Sequence, residues 1–316
     1  MLAVSAHLTV RDRYLVRLVG EHRVLTTSQL TALGFGNITT ARHRLSVLVG
    51  LGLLRRFRPH PETGSAPWHY LLGPVGAAML GAEDRDTGRW LPQVRAGRQL
   101  ALERSPRLAH MTGRNGFFTA LIQHARQDGG DLTQWLNEAA AASRCEDAVL
   151  WAGDRGQMPR PDGAGTWAED GHATAFLLEY DTGSEHLPVL AGKLEGYQRL
   201  AANLAWYEQP CPVLLFAFPS PRRERSARRA LAATQDAASL RIATMAADPT
   251  ETSPAGPVWL PLYPAVPGQV RLAWLDAAVP DPWRQYRAQR AAERRAAAAR
   301  DQAYRLPGDD QDGTGP

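Results

Sequence analysis

Lysine is almost missing from this 316-residue sequence: of 36 basic residues, Lys193 is the one lysine and the other 35 are arginines. Cysteine is nearly as scarce. Cys145 and Cys211 alone cannot build a disulfide scaffold or a cysteine-based zinc site. There is no run of roughly 18 apolar residues, which excludes a membrane-spanning helix. The first ten residues contain His7 and run straight into Arg11, Asp12 and Arg13, so a secretory apolar segment is not expected and a cytoplasmic location is. Several catalytic signatures are missing too. Gly192-Lys193 is followed by Leu194, so there is no P-loop; no GxSxG elbow occurs, nor a His-x-His cluster of the rolling-circle relaxase type.

Charge is what the sequence does have, and it is segregated. The net charge is only +4. Residues 1–80 hold nine arginines against three acids, and residues 81–130 hold eight bases against five acids. Residues 131–218 reverse the balance, with thirteen acids against five bases; residues 219–316 return to fourteen bases and eleven acids. A basic head suits a phosphate-binding module, because each neutralised phosphate releases counterions. An acidic centre opposes DNA unless cations sit in it. Metal-dependent phosphodiester chemistry reconciles the two, and a merely solvated acidic domain is the other reading.

Residues 1–80 read as a winged helix-turn-helix domain. Thr9 precedes the periodic run Val10, Tyr14, Leu15, Leu18, Val19, which predicts a helix ending near Gly20. Thr26 with Gln29 forms a capping box that opens a short helix through Leu33. After Gly34-Phe35-Gly36, a third helix from about Thr39 to Leu51 puts Ile38, Ala41, Leu45, Leu48 and Val49 on one side. Thr39, Arg42, His43 and Ser46 fall on the other, with Thr40 and Arg44 at its edge. Leu53–Arg58 and Trp68–Leu72, either side of a Gly64-Ser65 turn, read as a basic β-hairpin. In a winged helix the third helix enters the major groove and the wing touches the backbone, so double-stranded DNA is the expected partner. Arg55, Arg56 and Arg58 are the candidates for sequence-blind phosphate contacts. A protein-binding module with solvated arginines gives the same pattern. Pro74–Leu80 predicts a closing helix.

Residues 81–107 are polar, arginine-rich and aperiodic, as in a linker. His110–Gln127 reads as a helix with His110, Phe117, Leu121 and His124 on one face. The two histidines lie about 21 Å apart along that helix, too far to share an ion, so they are expected as core or interface residues. Strand-like segments at Leu132–Asn137, Ala173–Tyr180, Cys211–Phe218 and Leu240–Met245, with helices at Leu187–Leu204 and Arg222–Ala233, predict a mixed α/β domain over residues 108–247. The runs ATAFLL and VLLFAF suit strands covered on both faces. A Pro-rich docking segment, 248–281, carries Trp259 and Tyr263, and residues 282–316 read as a basic helix ending in a disordered tail.

The chemistry candidates lie in that second domain. Glu179 and Asp181 sit at i and i+2 where an apolar strand ends, and Asp162, in Pro161-Asp162-Gly163, arrives from a neighbouring strand. Such a set of hard oxygens suits Mg²⁺ or Mn²⁺. Lys193 falls on the apolar side of the helix expected at Leu187–Leu204, placed to stabilise charge developing on a phosphate. A snorkelling lysine paired with Glu179 or Asp181 for structure alone is the other reading.

The motifs PDG, LLEYDTGSE, KLEGY and PVLLFAF followed by RRE, with LTTSQLTALGF…ARHRLSVLVGLGLLRR near the N-terminus, resemble the actinobacterial replication-relaxation family over roughly residues 10–245. The resemblance implies a plasmid- or integrative-element-borne protein of replication or DNA mobilisation. It also implies a second domain similar to the PD-(D/E)XK restriction-endonuclease-like fold, with metal-binding acids at Asp162 and Glu179. The third position of that pattern departs, because Glu-x-Lys becomes Glu179-Tyr180-Asp181. Either Asp181 fills the slot or Lys193 reaches in from the next helix. Two functions follow: a DNA-binding protein that nicks DNA with Mg²⁺ or Mn²⁺, or a non-enzymatic regulator or relaxase accessory on an inactive nuclease-like scaffold. A relaxase or a replication initiator is the expected protein partner.

Overall fold

The computed structural model describes residues 8–59, 66–87, 102–103, 105–148, 158–249, 251–265 and 267–304. Thr9 caps α1 (Val10–His22) reciprocally: the Asp12 N–H donates to Thr9 Oγ1 at 3.2 Å and the Thr9 N–H donates to Asp12 Oδ2 at 2.8 Å. The helix passes Gly20 and ends at His22. A two-residue strand β1 (Leu25–Thr26) leads into α2 (Thr27–Gly34), opened by the Thr26–Gln29 capping box that the sequence predicts. Asn37 caps α3 (Ile38–Gly50) by accepting the Thr40 N–H at 2.9 Å. Ala41, Leu45 and Leu48 are buried as expected, whereas Ile38 is exposed, so the apolar stripe of α3 is narrower than its periodicity suggests. Strands β2 (Leu54–Phe57) and β3 (His69–Leu72) complete an antiparallel sheet of order β1-β3-β2. Leu15, Val19, Leu30, Leu45, Leu54 and Tyr70 close its core.

Helix α4 (Pro74–Thr87) runs into the stretch expected as a linker. The rest of that stretch lies mostly outside the described residues, as do the Gly64-Ser65 turn and the tail from 305. Helix α5 (Leu108–Gln127) then leads into β4 (Asp131–Asn137), α6 (Glu138–Asp147), β5 (Gly163–Glu169) and β6 (His172–Tyr180). Helices α7 (Leu187–Gly192) and α8 (Leu194–Trp206) precede β7 (Val213–Phe218), and α9 (Pro221–Ala232) precedes β8 (Ile242–Ala246) and β9 (Leu260–Pro261). The single helix expected over 187–204 is therefore two, broken at Lys193.

The sheet runs β4-β5-β6-β7-β8-β9; it is antiparallel from β4 to β6, parallel from β6 to β8, and antiparallel again at β9. The fold is thus mixed α/β. In β7, Leu214, Phe216 and Phe218 pack with α8 and α9, while Val213, Leu215 and Ala217 pack with Phe117 and Leu121 of α5 and with Trp259. Both faces are covered, as the run VLLFAF requires. Strand β5 escapes a reading by strand propensity because it begins Gly-Ala-Gly. A Cβ on Gly163 would sit 2.8 Å from the Phe118 ring, and one on Gly165 would sit 2.6 Å from Phe176. These glycines are there so that aromatic rings can lie against bare backbone.

Head and body are joined by buried polar contacts. The Asn115 side chain of α5 donates to His22 O at 3.1 Å and Val24 O at 2.8 Å, and Gln29 Nε2 donates to Thr112 O at 2.7 Å. Two short helical turns, Leu272–Trp274 and α10 (Leu275–Ala278), cover β6, and α11 (Arg284–Tyr304) docks on α8 with Arg290 stacked over Trp206. Trp259 is fully buried and Tyr263 is exposed, so one of the two aromatics expected to dock that segment does so. Among the described residues no helix is long and apolar enough to cross a membrane.

Candidate functional site

Two surfaces gather the residues singled out in the sequence. In the head, Thr39, Arg42, His43 and Ser46 are exposed along α3 and line a groove of about 950 Å³. Its opposite wall is the β2–β3 sheet, where the guanidinium groups of Arg56 and Arg58 each lie 4.4 Å from the centre of the Trp68 ring. None of the described residues lining this groove is acidic. Thr40 and Arg55 are exposed nearby without lining it. Arg44 has another task. Its Nε and a terminal nitrogen hold the fully buried Asp12 carboxylate at 3.0 and 2.5 Å, so α3 is clamped to α1 through Arg44. Arg44 and Thr9 outweigh the burial of Asp12 and keep its carboxyl below the usual range.

The second surface is a cleft of about 340 Å³ at the end of β6, where the sheet changes from antiparallel to parallel. Asp162 closes the β5–β6 ladder around Glu179. Its N–H donates to Leu178 O at 2.8 Å, and its Oδ2 accepts the Tyr180 N–H at 2.8 Å. Glu179 is buried. Lys193 Nζ donates to its Oε2 at 2.8 Å and lies 3.0 Å from Glu185 Oε2, while the buried Tyr197 hydroxyl donates to its Oε1. Burial and then the charge of Asp162 push the Glu179 carboxyl up to about 7, against the pull of Lys193 and Tyr197. Burial lowers the Lys193 ammonium, but Glu179 and Glu185 outweigh it and hold it above the usual lysine range. The same cleft is lined by Glu138, Asp181 and Glu185 among acids and by Arg107 and His110 among bases.

A sequence profile of the replication-relaxation family matches residues 16–214, well over half of the chain. The chain belongs to the replication-relaxation family. No curated protein matches it. Among solved structures, that of the restriction endonuclease FokI is similar over 75 % of this chain and 41 % of that one, at 15 % identity and a TM-score of 0.25. This replication-relaxation protein thus spans less than half of the FokI chain, with a likeness too slight to fix fold or activity.

Of the two residues open for the third position of the acidic motif, it is Lys193 that contacts Glu179 in this family member. Asp181 is turned elsewhere. Arg223 Nε donates to its Oδ2 at 2.6 Å while a terminal nitrogen of the same guanidinium donates to Glu185 O, and the Gly183 N–H donates to its Oδ1 at 2.7 Å. The result is a loop, residues 181–186, pinned from the first turn of α9. Lys193 itself lies between α7 and α8 with a helical backbone, φ −62° and ψ −27°, on the side of the pair that meets Glu179.

His110 belongs to the cleft, although its helical face reads as core. Its Nε2 is 3.1 Å from Asp162 Oδ2, and that bond and charge outweigh burial to raise its pKa. Gly113, one turn on, has the Tyr180 ring where a Cβ would be, which lets α5 come close enough for the contact. No local signal marks His110, because its partner is 52 residues away. His124 is in a separate place, 3.6 Å from Glu169 and 3.3 Å from Asp128. Tyr197 is visible in the sequence only as an apolar-face residue of α8.

Asp162 and Glu179 supply two hard carboxylates, and their mutual repulsion is what a dication relieves. That donor chemistry fits Mg²⁺ or Mn²⁺, ions commonly held by one or two carboxylates together with water and substrate phosphate. Among the described residues no three His, Cys, Asp or Glu side chains are gathered as a ready-made metal cage.

Proposed function

We propose that this chain is a double-stranded-DNA-binding protein of plasmid or integrative-element replication and mobilisation, whose head is a winged helix and whose acidic cleft nicks DNA. The observation that carries the reading is the head groove, in which the exposed face of α3 and Arg56 and Arg58 of the hairpin line one concave surface with no acid among its described lining residues. Side chains on α3 would read base edges in the major groove, while Arg55, Arg56 and Arg58 neutralise phosphates. In the cleft, which we read as a divergent PD-(D/E)XK site, Asp162 and Glu179 would hold Mg²⁺ or Mn²⁺. A bound dication supplies Lewis-acid polarisation of the phosphate and a more acidic water. Lys193, a compact ammonium already aimed at the site, would stabilise the negative charge that grows on the phosphate oxygens. A relaxase or replication initiator fits as the partner that uses the bound or nicked DNA.

A Mg²⁺-dependent nicking assay on supercoiled plasmid tests the catalytic half. Wild type is expected to convert supercoiled to open-circular DNA, and Asp162→Ala and Glu179→Ala are each expected to lose about 100-fold or more of the rate, the scale of removing a group that stabilises a transition state. No nicking with Mg²⁺ or Mn²⁺, or nicking unchanged in both variants, ends the catalytic reading. The binding half is tested with Arg42→Ala combined with Arg55→Ala, expected to weaken DNA binding and flatten its dependence on salt. A second reading, a non-enzymatic regulator or relaxase accessory, is favoured by one observation: both Glu179 oxygens already carry hydrogen bonds from Lys193 and Tyr197. It predicts retained DNA binding without nicking.

A further inference from the structure

The head groove does not stop at the head. A second open cleft, about 460 Å³, adjoins it on the far side of the turn between α2 and α3, and the two share Ser28 and Ile38 as lining residues. Its distal wall comes from the body: Gln123, Arg126 and Gln127, all exposed on the last turns of α5. Its floor includes Phe35, over whose ring the Arg11 guanidinium is stacked at 4.4 Å. None of the described residues lining this second cleft is acidic, in a chain with 32 acids. The nearest acid along the chain, Asp128, faces His124 at 3.3 Å. A run of amide and guanidinium donors without carboxylates has the chemistry of a phosphate-backbone track.

We infer that the DNA-contacting surface continues from α3 across Ile38 onto the C-terminal end of α5, where Gln123, Arg126 and Gln127 hold the phosphate backbone of the same duplex beyond the segment met by the head. The inference rests on the reading of the head as a DNA-binding element and adds a contact made by the body. Because Gln29, Asn115 and Arg126 tie α5 to the head, the two stretches of surface are held in register, and the footprint exceeds that of a winged helix alone.

The test uses the full chain and two random-sequence duplexes, one of about 12 base pairs and one of about 30, roughly one and three helical turns. Arg126→Ala should weaken binding to the longer duplex and lower the slope of log affinity against log salt by about 1, leaving the shorter duplex unaffected. Arg126 also donates to Ala32 O, so Gln123→Glu with Gln127→Glu is the companion variant: it leaves that tie in place and adds negative charge to the track. It should weaken binding to the longer duplex about tenfold at low salt. Unchanged affinity and slope in the glutamate variant overturn the inference, even where Arg126→Ala has an effect, because the effect then comes from the lost tie. The double change Arg42→Ala, Arg55→Ala reports separately on the head. Binding that survives it removes the reading of the head itself, whereas binding lost there but untouched by the α5 variants removes only the extended track.

Discussion

At the scale of single residues the cleft depends on one buried carboxylate with two donors. Glu179 is exposed to almost no water, so a missing donor is not replaced by solvent. Tyr197→Phe removes the hydroxyl and keeps the ring among the buried side chains of α8. It is expected to cost about 1–3 kcal/mol, read as a lower denaturant midpoint at unchanged slope. Lys193 is different, because its ammonium is about a third exposed and divides itself between Glu179 and Glu185. Lys193→Arg should keep the fold yet lower nicking well below wild type, since a planar fork does not reproduce a point charge. Nicking equal to wild type in that variant would reduce Lys193 to a structural ion pair.

At the scale of elements, α3 shows how two arginines two positions apart come to do different work. Arg42 is exposed in the groove, while Arg44 reaches back to Asp12 on α1. Arg44→Ala leaves a fully buried carboxylate with only its Thr9 contacts and should cost about 2–3 kcal/mol, less than a fully buried pair because Arg44 is partly solvated. Arg42→Ala should leave the melting temperature unchanged and weaken DNA binding. Thermal melts and binding isotherms on the two variants separate the roles, and a loss of binding by Arg44→Ala at unchanged stability would contradict the assignment.

The same element shows what the sequence makes legible. Capping boxes and helical periodicity are local, so α1, α2 and α3 can be read directly, as can the apolar strands β6 and β7. Glu179 stands out locally as a carboxylate at the end of an apolar strand, whereas its adjacency to Asp162 comes from the pairing of β5 with β6. Long-range pairings are not legible: nothing near Arg44 announces Asp12, and nothing near His110 announces Asp162. Strand β5 is hidden for another reason. Its glycines answer to Phe118 on α5 and to Phe176, the cross-strand partner of Gly165, rather than to strand propensity. Lys193 is half legible: its solitary occurrence and its place on the apolar side of the pattern point to the sheet, but its second partner, Glu185, does not show.

At the scale of the whole molecule, the seam between head and body is where acid should act. His22 ends α1 and stacks on Trp135 of β4 at 3.6 Å between ring centres. It is buried, and neither ring nitrogen has a hydrogen-bond partner among the described residues. Burial, helped by the nearby charge of Arg114, pushes its pKa down to about 3 from 6.5. The folded chain therefore refuses a proton that the unfolded chain accepts, and stability falls as pH drops from 6.5 toward 3, by about 1.4 kcal/mol for each unit. Glu179, raised to about 7, works in the opposite sense over part of that range, so the wild-type curve alone mixes the two. His22→Phe keeps a ring on Trp135 and removes the titration, while Glu179 is common to both proteins. Denaturant unfolding of the pair at about pH 7.5 and about pH 4.5 should show wild type losing stability relative to His22→Phe on acidification. Parallel curves for the two proteins would mean that His22 is protonated in the fold, and that the seam opens to water where the structure shows it closed.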